Sequence, residues 1–182
     1  MKPGIYVALL RGINVGGHKI VKMEKLRASF EKLGFEDVKT YVQSGNVVFK
    51  AAAKSAVDLV RKIEGMMERE FGFEVTVMVR GAEELNRAIQ NNPFSGEKGL
   101  DFSRLGVVFL SEEPEEPGVK AAEKIAVKPE RLHHEGSEIF IYCPNGFGKS
   151  KLTNTTLEKM LGVRATTRNW NTVNKLHEMA RE

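Results

Sequence analysis

The sequence predicts an α+β fold built from two consecutive ferredoxin-like β-α-β-β-α-β units plus an extra C-terminal helix. Short apolar runs alternate with segments whose apolar residues recur at helical spacing, which is typical of strands followed by amphipathic helices. Hairpin signals at 44–45 and 135–137 each fall in the middle of such an order. The order of elements occurs twice, with little residue identity between the two halves.

Residues that begin and end helices support the assignments in the first half. Gly34 follows a helical pattern as a C′ glycine would, and Ser55 precedes the next helical pattern as an N-cap. Val75, Val77 and Val79 alternate with other residues as in a half-buried strand. We therefore predict strands at 5–10, 38–43, 46–50 and 74–79, and helices at 21–33 and 55–72.

The second half repeats this pattern after a connecting region. We predict strands at 105–110, 131–134, 138–142 and 163–167, and helices at 117–126, 150–161 and 171–180. A short helix at 82–90 and a polar segment with two glycines precede them. The predicted domains are a first unit at 1–81, a helix and linker at 82–103, and a second unit with its C-terminal helix at 104–182.

Composition narrows the class of protein. The chain has 182 residues, of which 41% are hydrophobic and 29% charged, as in an ordinary globular protein. Apolar runs are far shorter than the roughly 20 residues of a membrane span, so we expect no membrane association. Cys143 is the single cysteine, which favours a cytoplasmic location. The net charge of +4 is unevenly distributed, at +5 over residues 1–80, −5 over 81–143 and +4 over 144–182.

The first candidate site comes from the topology of the first unit. Strands one and three of a ferredoxin-like unit are antiparallel neighbours, so the end of strand one lies beside the hairpin joining strands two and three. Glycine-rich backbone exposes N–H groups that bind anions, and a helix N-terminus adds partial positive charge. Alternatively, the glycines and an asparagine only form turns, and the arginine pairs with an acid. The predicted ligand-binding residues are Arg11, Gly12, Asn14, Gly16, Gly17, Lys19, Gln43, Ser44 and Asn46.

The second candidate site follows strand three of the second unit. Residues 143–150 match the phosphate-binding pattern Gly-x4-Gly-Lys-Ser/Thr except that Cys143 stands at the first glycine. An antiparallel hairpin argues against a nucleotide hydrolase but allows an anion site at the next helix start. Strand four should end beside it. The candidate ligand-binding residues are Gly148, Lys149, Ser150, Arg168, Asn169 and Trp170; alternatively, Asn169 caps the last helix and Trp170 packs over its first turn.

The sequence contains few other candidates for catalytic or metal-binding residues. The four histidines show no metal-ligand spacing, Cys143 is expected to be an inert thiol, and neither a metal nor a cofactor is predicted. The strand at 138–142 is apolar on both faces. Its second face is predicted to be either a stacking platform for single-stranded RNA or a face covered by other elements.

Four segments carry a resemblance to a known family. They are LLRGINVGG at 9–17, YVQSGNVVF at 41–49, NPF at 92–94 and ATTRNWNTV at 165–173. The chain resembles the bacterial domain-of-unknown-function family sixteen-ninety-seven from about residue 5 to 176. The resemblance implies an α/β protein with two ferredoxin-like parts and supplies no function or site residues.

Three functional hypotheses remain open from the sequence. The first is a binding protein for a phosphate-bearing partner, either a nucleotide or a nucleic-acid backbone. The second is an enzyme acting on a small polar metabolite in a cleft between the units, so enzymatic activity is left undecided. The third is a structural module that dimerises through its sheet; the oligomeric state is not predicted.

Overall fold

The structure is a computed structural model that describes residues 3–53 and 55–181. It forms two compact units. Unit 1 comprises Met1–Asn86 together with Leu176–Glu182, and unit 2 comprises Arg87–Lys175. Each unit contains one four-stranded antiparallel sheet. Within the described residues, no helix has the length and apolar character required to cross a membrane.

Unit 1 has the sheet order β2-β3-β1-β4, so β1 and β3 are central and antiparallel. This is the arrangement expected of a ferredoxin-like unit. Its elements are β1 (Gly4–Leu10), α1 (Met23–Lys32), β2 (Glu36–Tyr41), β3 (Asn46–Ala51), α2 (Ala56–Phe71), β4 (Val77–Gly81) and α3 (Ala82–Gln90), whose residues from Arg87 onward belong to unit 2.

Unit 2 repeats the arrangement with the sheet order β6-β7-β5-β8. Short 3-10 turns at Phe102–Arg104 and Phe147–Lys149 accompany the main elements. Those elements are β5 (Leu105–Leu110), α4 (Glu116–Ile125), β6 (Arg131–Glu135), β7 (Glu138–Tyr142), α5 (Asn154–Leu161), β8 (Ala165–Asn169) and α6 (Trp170–Met179), whose residues from Leu176 onward belong to unit 1.

Local sequence accounts for the helix boundaries in both units. The Ser55 hydroxyl accepts a hydrogen bond from the Asp58 N–H at 3.2 Å, and Gly72 ends α2 in the left-handed conformation. In unit 2, Thr153 caps α5 in the same way, and Gly162 ends that helix. These ends place the helices across one face of each sheet, where the apolar cores form.

The helix that the sequence analysis treats as an extra element has a counterpart. In each half the last strand continues into a helix without a loop, β4 into α3 and β8 into α6. The repeat is therefore β-α-β-β-α-β-α in both halves. The second face of each sheet is also buried, with Val7 and Leu9 in unit 1 and Phe109 and Phe140 in unit 2 almost fully covered. An exposed stacking platform there is therefore excluded.

The largest difference from the predicted elements lies before α5. The sequence pattern predicts a helix from 150, but α5 begins at Asn154. The reason is local, because the Ser150 hydroxyl accepts from the Leu152 N–H at 3.0 Å and holds a turn, while Thr153 provides the cap. The strand predicted at 74–79 is also shifted, since β4 runs from Val77 to Gly81.

Candidate functional site

The two polar segments predicted to meet in unit 1 do lie together. We call residues 11–22 the β1–α1 loop and residues 42–45 the β2–β3 turn, and the surface that they form is the unit-1 rim. The Asn14 amide nitrogen donates to the Gln43 carbonyl at 2.9 Å, and the Leu10 N–H donates to the Gly45 carbonyl at 2.8 Å. The end of β1 is thereby tied to the turn between β2 and β3.

Asn14 organises the loop through its whole amide group. Besides Gln43, its nitrogen donates to the Val21 carbonyl at 2.9 Å, and its oxygen accepts from the Val21 N–H at 2.8 Å. Its φ of 55° lies in the left-handed region, which asparagine tolerates better than most residues. The side chain therefore holds the loop closed.

The paired glycines of the loop form the tip of a small hairpin. The His18 N–H donates to the Val15 carbonyl at 3.0 Å, and the two residues form an isolated bridge. Between them, Gly16 and Gly17 have φ values of 58° and 77°, the positive pair that a type I′ turn requires. Both glycines are exposed, so the tip of the loop is accessible to solvent.

The β2–β3 turn is held from inside by Asn46. This side chain is fully buried, and its amide nitrogen donates to the Tyr41 carbonyl at 3.0 Å and to the Ser44 hydroxyl at 2.9 Å. Val42 has a φ of 51°, which is strained for a β-branched residue. Of the polar groups predicted to orient a ligand, Asn14, Ser44 and Asn46 therefore serve the turns, and Gln43 lies exposed.

Lys25, Phe71 and Phe73, which the sequence analysis did not single out, lie beside the rim. The Lys25 ammonium lies 4.6 Å from the Phe71 ring centroid and donates to the Glu70 carbonyl at 3.1 Å. The Lys19 ammonium lies 5.8 Å from the Phe73 ring centroid. No motif in the sequence marks these pairs, because they join segments some fifty residues apart.

Removing the Asn14 side chain tests how far the rim depends on it. We expect Asn14→Gly to lower the free energy of unfolding by about 2 kcal/mol, since it removes three hydrogen bonds but keeps the positive φ at no steric cost. Urea denaturation followed by circular dichroism measures the change. Gln43→Ala is the matched control, because it leaves the backbone acceptor in place, and an equal loss in both variants would contradict this role of Asn14.

The phosphate-loop-like segment of unit 2 does not form a helix start. Gly148 and Lys149 lie in the 3-10 turn Phe147–Lys149, and four residues separate Lys149 from the first residue of α5. The Ser150 hydroxyl is used by the Leu152 N–H. The helix start predicted at these residues is therefore wrong, since α5 begins at Asn154, while anion binding by Gly148, Lys149 and Ser150 stays a prediction.

Arg168 lies on the sheet face opposite to this segment. A Cβ placed on Gly106 would lie 3.0 Å from the Phe147 ring and 3.2 Å from the Thr167 methyl group, so Phe147 covers the face that Thr167 shares. Successive side chains of a strand point to opposite faces. Arg168 therefore lies on the opposite face of the sheet from Thr167 and Phe147.

Asn169 takes the alternative role that the sequence left open. The Asn169 oxygen accepts from the Asn171 N–H at 2.9 Å, and its nitrogen donates to the Ser103 carbonyl at 2.8 Å. Asn169 thus caps α6 and ties it to the start of β5. The half-buried Trp170 is the first residue of α6, and its carbonyl accepts from the Asn174 amide at 2.8 Å.

Arg168 has a counterpart in unit 1. Arg80 is the fourth residue of β4 and pairs with Val7, and Arg168 is the fourth residue of β8 and pairs with Val107. Both are only 8% exposed. Burial lowers the pKa of Arg168 to about 10, so the guanidinium remains charged at neutral pH. The repeat therefore places one buried arginine at the same position in each sheet.

Cys143 matches the expectation of an inert thiol. It is fully buried, and burial raises its pKa, which keeps the sulfur protonated and unreactive at neutral pH. Among residues 3–53 and 55–181, no group of three His, Cys, Asp or Glu side chains is arranged to hold a metal ion.

Comparison with known proteins identifies the family. A family model described as "Protein of unknown function (DUF1697)" matches residues 4–140. The chain belongs to DUF1697. This DUF1697 chain shares 28% sequence identity with a conserved bacterial protein of known structure, SP0830 from Streptococcus pneumoniae. The match has a TM-score of 0.78 and covers 98% of this chain and 99% of that chain. A comparison with curated proteins finds no match.

The NPF segment of this DUF1697 chain has a structural role in unit 2. The Arg131 guanidinium lies 4.8 Å from the Phe94 ring centroid and 5.0 Å from that of Tyr142. It also forms two hydrogen bonds with the Glu97 carboxylate, at 2.9 and 3.1 Å. These contacts hold the segment after α3 against the β6–β7 hairpin.

Proposed function

We propose that the unit-1 rim binds a polyanion, with a nucleic-acid backbone as the ligand. The observation that carries the proposal is a concentration of positive charge on an exposed loop that a rigid scaffold supports. The β1–α1 loop, residues 11–22, contains three basic and no acidic side chains, a net charge of +3. Loops held by a rigid scaffold are common sites of recognition.

The form of the rim favours an extended ligand over a small one. The amides that would orient a small molecule hold the turns instead, and the loop tip is exposed rather than recessed. A nucleic-acid strand carries phosphates at intervals along its length. This spacing matches a surface on which Arg11, Lys19 and Lys22 provide separate positive charges. Phosphate contacts of this kind position a nucleic acid without reading its sequence.

Aromatic rings beside the charges fit the same ligand. Phe71 and Phe73 are half-buried and lie next to Lys25 and Lys19. Surfaces that bind single strands combine basic residues with aromatic side chains. We include a cytoplasmic location in the proposal, since the single cysteine suits a reducing compartment. The enzyme and dimerisation hypotheses have no comparable support from the described residues, 3–53 and 55–181.

Fluorescence anisotropy with a labelled single-stranded 20-mer tests the proposal across a salt series. We expect the affinity to fall as salt rises, and Lys22→Glu to weaken binding about tenfold at low salt and reduce the salt slope by about one. The matched control is Lys62→Glu, because Lys62 is an exposed lysine of α2 outside the rim. Equal weakening in both variants, or affinity independent of salt, would contradict a rim site.

A further inference from the structure

Exposed aliphatic side chains are concentrated on the unit-1 rim. Among residues 3–53 and 55–181, five large apolar side chains are exposed by half or more, and three of them lie on the rim. These three, which we call the aliphatic patch, are Val15 at 62%, Ile20 at 63% and Val42 at 50%. Single exposed apolar residues are ordinary on a protein surface, whereas a group of them marks a site of interaction. The basic residues of the rim do not account for this group, because charge alone needs no apolar neighbours.

The side chain of Asn14 gathers the three residues of the patch. Its amide group binds the backbone of Val21 and of Gln43. Each member of the patch is the chain neighbour of one of these three residues, with about 3.8 Å between the Cα atoms. The patch is therefore one region of the surface, and the hydrogen bonds that hold the β1–α1 loop against the β2–β3 turn fix its position.

Two lysines supply positive charge beside the patch. Lys19 and Lys22 lie on either side of Ile20 in the sequence, and both are exposed. The Lys19 ammonium donates to the Glu74 carbonyl, a neutral acceptor, so this hydrogen bond does not cancel its charge. The β1–α1 loop itself contains no acidic residue. A ligand that matches this surface must therefore combine negative charge with accessible apolar area.

A single nucleic-acid strand has both properties, whereas a duplex offers mainly the charge. Unpaired bases splay out and present their faces to protein side chains, while pairing and stacking hide those faces inside a duplex. We propose that the rim prefers single-stranded to double-stranded nucleic acid, with the aliphatic patch against unpaired bases and Lys19 and Lys22 against phosphates. This inference rests on the polyanion function proposed for the rim and adds the class of strand.

Fluorescence anisotropy with a labelled single-stranded 20-mer, and with the duplex of the same sequence at the same salt concentration, tests the preference. We expect the single strand to bind about tenfold more tightly, because only its bases bury the aliphatic side chains. Charge alone would favour the duplex, which carries about one phosphate per 1.7 Å of its axis. The double variant Val15→Ser/Ile20→Ser should therefore lose the preference but keep the salt dependence of the wild type.

Val57→Ser is the matched control for the double variant. Val57 is 57% exposed and lies on α2, outside the rim, so its replacement should leave the preference intact. The inference is overturned if both oligonucleotides bind equally, or if the double variant has no larger effect than Val57→Ser, and the polyanion function then still stands. Binding of neither oligonucleotide overturns both proposals.

Other occupants of the aliphatic patch are tested with the same double variant. Co-sedimentation with phosphatidylglycerol vesicles measures contact with lipid, and sedimentation of the chain alone over a concentration series measures self-association. We expect the double variant to match the wild type in both measurements. A loss of vesicle binding or of self-association in the double variant would overturn the inference, because the patch would then contact lipid or a second copy of the chain.

Discussion

Gly45→Ala should lower the free energy of unfolding by about 4 kcal/mol, combining core overpacking with an unfavourable φ. A Cβ at this position would lie 2.8 Å from the Leu10 Cβ and 2.8 Å from the Ile13 Cδ1 atom. Both neighbours are buried, with no room to move aside. The φ of 77° adds the usual penalty for an L-residue in the left-handed region. Urea denaturation followed by circular dichroism measures the loss.

Gly17 provides a matched control for this prediction. Its φ is also 77°, but a Cβ there would meet nothing within 4 Å. Gly17→Ala should therefore cost only the conformational penalty, about 1 kcal/mol. The difference between the two variants isolates the close approach of the β2–β3 turn to the β1–α1 loop. Equal losses in both variants would show that the turn does not pack against Leu10 and Ile13.

Gly118→Ala should lower the free energy of unfolding by about 3 kcal/mol. The residue lies in α4, where a Cβ would be 2.7 Å from the Met160 carbonyl oxygen and 3.1 Å from the Leu161 Cα atom of α5. The neighbouring atoms are backbone, so a side-chain rotation cannot relieve the clash. The two helices must separate, which loosens the apolar core of unit 2 around Val119 and Leu157.

Gly65→Ala is the corresponding control in a helix of unit 1. Gly65 lies inside α2, and a Cβ there would be 3.1 Å from the Arg69 guanidinium, a flexible group that can move away. Alanine is the better helix former by about 1 kcal/mol, so this variant should be neutral or more stable than wild type. In thermal denaturation, Gly118→Ala should lower the Tm, whereas Gly65→Ala should leave it unchanged or raise it. Destabilisation of Gly65→Ala as large as that of Gly118→Ala would contradict a tight α4–α5 contact.

The fold followed from the sequence because its signals are local. Apolar alternation, Ser55 as a cap and Gly72 as a helix end are each read within a few residues, and the structure has the corresponding elements. The segment 150–153 shows where local reasoning fails. Ser150 and Thr153 are both possible caps, and the helix starts at the later one because Ser150 serves a turn to Leu152.

The candidate sites were predicted from chain topology rather than from local sequence signals. Topology alone brought the β1–α1 loop to the β2–β3 turn, as the Asn14–Gln43 hydrogen bond shows. Topology does not reveal that the amide groups of Asn14 and Asn46 form hydrogen bonds with the backbone, because those hydrogen bonds depend on atomic distances. Topology also predicted Arg168 on the same side of the sheet as Lys149. The face that a strand residue occupies depends on where the strand starts within the sheet, which topology does not specify.

Residue patterns along the chain thus determined the order of strands and helices, their repetition and the meeting of the two polar loops, because each of these depends on local preference and chain connectivity. Tertiary structure decided the rest. The pairing of Lys25 with Phe71 and the burial of Arg80 and Arg168 depend on residues distant in sequence. Contacts of this kind are selected by packing and register, which no single segment of the chain encodes.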